Sequence, residues 1–189
     1  MRTPPTSSLE ARYAEAHRRY HGQAHIDACL DLLDAWPDLS DAERRVLGWA
    51  IWWHDAIYDP TASDNEARSA ELARRELPAL GASRGEAEEV ARLIRLTAGH
   101  EVAQGDRLGA ILVSIDLAIL AEAPAAYDAY ARAVREEYGH VPEPLWRAGR
   151  ARVLQRFLDA PVIFPDPEFR AAREARARAN LARELETLR

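Results

Sequence analysis

The chain has 189 residues, 48% hydrophobic and 30% charged, with a net charge of −6. That balance suits one globular domain with a sizeable core, and the lack of a basic block argues against a general affinity for nucleic-acid polymers or anionic membranes. No apolar run nears the roughly 18 residues of a membrane span, the N-terminus Met1-Arg2-Thr3-Pro4-Pro5-Thr6 lacks a signal-peptide core, and a single cysteine, Cys29, forms no internal disulfide, so a cytoplasmic location is expected.

In chain order the sequence reads as helices joined by short breaks. Ala, Leu, Glu and Arg dominate, and strand-like alternation is nearly absent. Residues 1–6 are expected to be disordered. Helical patterns then cover 7–19, 22–36, 40–57, 63–78, 83–100, 106–122, 124–138, 143–159 and 166–188, the first able to run on as far as His25. Ser-x-x-Glu capping boxes mark four starts, at Ser7/Glu10, Ser40/Glu43, Ser63/Glu66 and Ser83/Glu86. Breaks fall at Gly22, Pro37, Pro60, Gly81, Gly105, Gly139 to Pro144 and Pro161 to Pro167. Segments 40–57 and 106–122 are apolar nearly all round, so they should be central. Segment 166–189, mostly Ala, Arg and Glu, reads as a C-terminal surface helix. There is no internal repeat and no linker. The expected fold is therefore all-α, a bundle of about eight or nine helices in one domain, 1–189.

Three polar intrusions conflict with the apolar patterns around them. His54-Asp55 sits within Leu47-Gly48-Trp49-Ala50-Ile51-Trp52-Trp53-His54-Asp55-Ala56-Ile57-Tyr58, His25 interrupts the apolar face of 26–36, and Asp116 interrupts Ile111 to Leu120. Such groups are costly in apolar surroundings without a partner. Separate local partners for each would account for them singly, but one shared cation accounts for all four. His54 and Asp55 point about 100° apart on a regular helix, so both reach one ion only near a helix end, and Pro60 supplies that end. Two neutral imidazoles and two carboxylates suit one divalent transition ion: Mn²⁺, Fe²⁺, Co²⁺, Ni²⁺ or Zn²⁺. They also leave open positions for water and substrate.

The ordered set His25, His54-Asp55, Asp116 resembles the HD-domain superfamily of metal-dependent phosphohydrolases. Further stretches resemble a bacterial branch described as predicted HD phosphohydrolases: Arg19-Tyr20-His21, Asp64-Asn65-Glu66 with Ser69-Ala70, Ile94, Thr97 and His100, Asp116-Leu117, and Glu174, Arg178 and Asn180-Leu181. The resemblance spans roughly residues 10–188. It implies an HD-like helical bundle, metal ligation by His25, His54, Asp55 and Asp116, and hydrolysis of a phosphomonoester or nucleotide by activated water. In that superfamily an acid shortly after the HD pair often moves protons or positions water. Tyr58 stands where several relatives carry Glu, so Asp59 becomes the expected acid/base, acting with His54 at the ion.

Around these residues, His21, His100, Arg19 and Glu66 are candidate substrate contacts, each with a plainer alternative. His21 lies four residues before His25, on the same face if the helix extends that far. His100 sits at a helix C-terminus, where a cation is favoured. Glu66 can instead complete a capping box. Arg18, Arg19 and Arg68 could meet phosphate, yet all 25 basic residues are arginine, so any one can equally be a solvated-face residue. His17 and His140 look peripheral, and the tryptophans read as core. The expected partner is a small phosphorylated substrate such as a nucleotide, with no membrane or nucleic-acid polymer. Two rival readings keep the residues but change the role: a di-iron HD-type oxygenase, which needs further ligands such as His21 and His100, and a non-catalytic metal- or ligand-binding regulatory module.

Overall fold

The computed structural model describes residues 4–188. Among these residues the chain forms nine α-helices and no strand, as the helical patterning predicts. They are α1 (Ser7–Tyr13), α2 (Gln23–Asp34), α3 (Asp41–Trp53), α4 (Asn65–Glu76), α5 (Arg84–Leu96), α6 (Arg107–Asp116), α7 (Pro124–Glu137), α8 (Glu143–Asp159) and α9 (Pro167–Thr187). Short 3₁₀ turns follow α4 (Leu77–Leu80) and α6 (Leu117–Ala121). No single helix is long and apolar enough to cross a membrane. The helices gather into two compact units, Met1–Asp116 and Leu117–Arg189.

In the first unit the central helix is α3, which packs against α2, α4, α5 and α6. Its start is a complete capping box: the Ser40 hydroxyl accepts from the Glu43 N–H at 3.3 Å, and Glu43 accepts from the Ser40 N–H at 2.8 Å. Ser83 and Glu86 repeat this at α5. The other two expected boxes give way to a neighbouring residue. Thr6, part of the stretch expected to be disordered, caps α1 by accepting from the Leu9 N–H at 3.2 Å, and Asp64 rather than Ser63 precedes α4. Residues 1–3 lie outside the described residues. Leu47, Ala50, Ile51 and Trp53 are fully or almost fully buried, consistent with an all-round apolar helix. At the start of α6, a Cβ on Gly109 would fall 2.4 Å from Asp106 Oδ2 and 2.8 Å from Leu96 Cδ1, so any larger residue would have to displace those side chains.

The first helix is shorter than the pattern 7–19 suggests. It ends at Tyr13, and α2 starts only at Gln23, after Gly22. The intervening chain leaves helical geometry and turns Arg18 inward, where it donates to the carbonyls of His21, Asp55 and Ala56. His21 therefore does not share a helical face with His25. At its far end α6 stops at Asp116, where the backbone tightens into the 3₁₀ turn.

In the second unit α9 packs on the 3₁₀ segment 117–121 and on α8. It is more than a surface helix, because Ala177, Asn180, Leu181 and Leu185 form a narrow buried face among the arginines and glutamates. Asn180 Nδ2 donates to the Leu120 and Glu122 carbonyls, both at 2.9 Å. Glu174 accepts from the N–H groups of Ile163 and Phe164, and Arg178 donates to the Leu158 and Ala160 carbonyls at the end of α8. These residues of the quoted C-terminal motif thus make packing and capping bonds. Arg150, 7% exposed, pairs with Glu184 through Nε at 2.7 Å and Nη2 at 2.9 Å, while the Tyr127 hydroxyl donates to the same carboxylate.

Candidate metal centre

Three breaks in helical structure bring the polar intrusions together within the first unit. His25 projects from the first turns of α2. His54 is the C-cap of α3, its N–H still bonded to the Ala50 carbonyl at 2.9 Å, and Asp55 follows in the turn. Asp116 is the last residue of α6. Each side chain leaves a helix at or near its end, where a polar group can face inward without breaking a helical ladder.

Their atoms converge closely. His25 Nε2 lies 3.1 Å from His54 Nε2, and His54 Nε2 lies 3.1 Å from Asp55 Oδ2. Asp116 Oδ1 lies 3.3 Å from His25 Nε2 and 3.5 Å from His54 Nε2, and Asp55 Oδ2 is 3.7 Å from His25 Nε2. Bonds of about 2.1 Å to one ion would set neighbouring ligands about 3.0 Å apart in an octahedron and about 3.4 Å in a tetrahedron. The observed separations, 3.1–3.7 Å, start just above the octahedral value and span the tetrahedral one. His25, His54 and Asp116 form a tight group whose ligand atoms all lie within 4.8 Å of one another and could hold a metal ion. Asp55 joins it through both imidazoles.

The donor chemistry fits a cation. His54 Nδ1 meets the Ile51 carbonyl at 2.8 Å, which only accepts, so Nδ1 carries a proton and Nε2 is the nitrogen turned to the cluster. His25 Nδ1 meets the Tyr20 hydroxyl at 3.0 Å, leaving its Nε2 to face the cluster. Both histidines are buried, 6% and 3% exposed. Two imidazole nitrogens and two carboxylates therefore share one small space. Burial alone would push the His54 imidazole down, but the Asp55 and Asp116 carboxylates outweigh it and hold it well above the usual histidine range. Burial pushes Asp55 up, and neighbouring His54 outweighs that to hold it below the carboxylate range. Asp116 is likewise held low, burial being overcome by His100, His25 and His54. The pocket favours positive charge.

Among the other expected residues, His100 is brought to the cluster. It adopts a left-handed backbone, φ 60°, and its N–H bonds to the Leu96 carbonyl at 2.7 Å as the chain leaves α5. This turns its Nε2 to 3.4 Å from Asp116 Oδ2, the oxygen not shared with His25 and His54. His21 lies at the edge, stacked on Tyr58 with ring centroids 4.3 Å apart and edge-on to His25 at 6.3 Å. Asp59 does not converge. It is exposed, and its carboxylate accepts from the Thr61 N–H at 2.8 Å and hydroxyl at 2.7 Å, forming the turn that Pro60 begins. Those bonds hold its carboxyl below the usual range. The structure thus gives Asp59 a turn-forming role in place of the expected acid/base position. Arg19 is exposed and donates to the Ala16 carbonyl at 2.8 Å, and Glu66 lies half-buried in the first turn of α4. His17 bonds the Tyr58 carbonyl through Nε2 at 2.9 Å, and His140 stacks on Tyr138 in the second unit.

Three neighbours have roles that the residue pattern does not convey. Tyr20 fixes the far nitrogen of His25, Arg18 bonds the Asp55 carbonyl, and Cys29 Sγ lies 3.7 Å from His25 Nδ1. Cys29 stands one turn after His25, so that contact follows from helical spacing. Tyr20 and Arg18 sit in non-periodic chain, where spacing carries no such signal. Compared with protein-family models, curated proteins and solved structures, the chain matches none.

Proposed function

We propose that the protein is a metal-dependent phosphohydrolase of HD type that cleaves a phosphomonoester or nucleotide. The observation that carries this reading is the convergence of four ligand-type atoms, from three helices and one turn, at 3.1–3.7 Å. His25, His54, Asp55 and Asp116 would hold one divalent transition ion, Mn²⁺, Fe²⁺, Co²⁺, Ni²⁺ or Zn²⁺. Such an ion, when bound, supplies Lewis acidity for activating water and for neutralising phosphoryl charge. The chain's own residues do the rest. Ile51 and Tyr20 orient the imidazoles so that their Nε2 atoms face the pocket. His100, beside Asp116, and His21, at the edge of the cluster, would hold a proton or deliver it to the leaving group.

A second reading rests on one observation. His100 Nε2 lies 3.4 Å from Asp116 Oδ2, so His100 could join the set as the further ligand residue that a di-iron centre would need. Metal analysis of the purified protein separates one ion from two. The hydrolase reading is tested with a panel of phosphomonoesters and nucleotides, using Asp116→Ala as the blank. Turnover should fall by at least about 1,000-fold, roughly 4 kcal/mol of barrier. Equal turnover by both proteins would remove the hydrolase assignment. His54→Ala should keep its helicity and lose activity; collapse of the fold would mark the ion as structural.

A further inference from the structure

A buried guanidinium is costly unless its N–H groups are met. The Arg18 side chain is 1% exposed. Its Nε donates to Glu15 Oε2 at 3.0 Å, Nη1 to the carbonyls of His21 at 2.8 Å and Asp55 at 2.7 Å, and Nη2 to the Ala56 carbonyl at 3.2 Å. Its Cζ lies 5.2 Å from the Tyr13 ring centroid and 5.5 Å from that of Tyr58. One rigid planar cation thus joins two stretches outside helices: the chain between α1 and α2, and the turn after α3. Each supplies part of the metal centre. The first carries Tyr20, which bonds His25 Nδ1, and the second carries Asp55. Backbone in such stretches is otherwise loosely fixed. A lysine could not replace this fork, because an ammonium is a point donor.

We propose that Arg18 is a positioning residue that sets the Asp55 carboxylate and the Tyr20–His25 contact, and through them the geometry of the centre. It touches neither ion nor substrate. Its effect on metal affinity rests on the metal reading above; its effect on the imidazoles does not require an ion.

The test uses the full chain with three substitutions. Arg18→Lys removes the fork, and Glu15→Ala, at a residue 38% exposed, removes the partner of Nε together with a 3.8 Å contact to the exposed His17. Leu72→Ala, a buried α4 position, serves as a control for general destabilisation. Two readouts are taken at a temperature where each protein is folded by circular dichroism: long-range ¹H–¹⁵N spectra of the histidine rings without metal, and Co²⁺ titration followed by visible absorption. Arg18→Lys should shift the His25 and His54 ring signals and weaken Co²⁺ binding about 10- to 100-fold. Glu15→Ala should do the same more weakly, and Leu72→Ala should change neither despite a lower Tm. Wild-type spectra and affinity in Arg18→Lys, or the same changes in Leu72→Ala, would overturn the proposal. If Arg18→Lys does not fold, Glu15→Ala decides by the same readouts, and wild-type values overturn it. If the wild-type protein takes up no Co²⁺, the metal reading fails, and the imidazole spectra alone decide the role of Arg18.

Discussion

Each unit of this protein buries a cluster of charge, and the two clusters are built on opposite plans. In the second unit, Arg150 lies against Glu184, with the Tyr127 hydroxyl on the same carboxylate and the Tyr130 ring beneath the guanidinium. One cation meets one anion, and the donors and acceptors close on each other. Burial would lower the Arg150 pKa, but Tyr130 and Glu184 outweigh it and hold the charge in place. Burial and the Glu184 charge together push the Tyr127 phenol up. In the first unit, two carboxylates and two imidazole nitrogens face one space, and the partners of the carboxylates are titratable histidines in place of a guanidinium. Buried charge alone therefore does not mark a site. The kind of partner does: a permanent guanidinium closes one cluster, whereas the imidazoles of the other can exchange a proton for a cation.

The largest effect that tests this contrast is expected in the closed cluster. Glu184→Ala strands a buried guanidinium and should lower stability by about 3–5 kcal/mol, read by urea unfolding. Its metal content should match the wild type, because the open cluster is built without it. Next, Co²⁺ at about 100 times its Kd should add about 2.7 kcal/mol of stability to the wild type and nothing to Asp116→Ala. A gain of equal size in Asp116→Ala would place the binding elsewhere. Tyr20→Phe removes only the hydroxyl at His25 Nδ1, so Co²⁺ affinity should drop about 10- to 100-fold with little change in Tm. The smallest effect belongs to a surface carboxylate that the fold also controls. Backbone and side-chain bonds to Ser83, with Arg45, hold the half-buried Glu86 carboxyl at about 2. Its folded value is depressed, so its contribution to stability is present above the ordinary carboxylate pKa and is lost as pH falls through about 2. Ser83→Ala should move the titration midpoint, followed by NMR, back toward its ordinary value.

Helix positions were legible where periodicity and caps agreed. Ser40/Glu43 and Ser83/Glu86 begin α3 and α5 as their spacing implies. Ser7/Glu10 and Ser63/Glu66 did not act as boxes, because Thr6 and Asp64 stand one residue away and supply the N-cap position instead. The converging atoms of the site were legible for a different reason: a histidine or aspartate in an apolar run is conspicuous. The rest depended on chain that has no period. Arg18 looked like any other arginine in a chain with 25 of them, and its inward turn follows from tertiary acceptors, not local pattern. Where Asp59 would point was not legible, because nearness in sequence to Asp55 says nothing of direction once Asp59-Pro60-Thr61 closes a turn on itself.

Cys29 is the only cysteine of the chain and is 3% exposed behind His25. Burial, then the Asp116 and Asp55 carboxylates, push its thiol up, so the reactive thiolate is scarce while the centre is closed. A molecule with one thiol in that place carries its own clock for local opening. Alkylation by a small thiol reagent proceeds through the fraction of molecules in which α2 has pulled away, and its rate reports the free energy of that excursion. Each event leaves a permanent mass label on the helix that bears His25. Breathing of the centre can thus be counted in intact-protein mass spectra with no probe introduced.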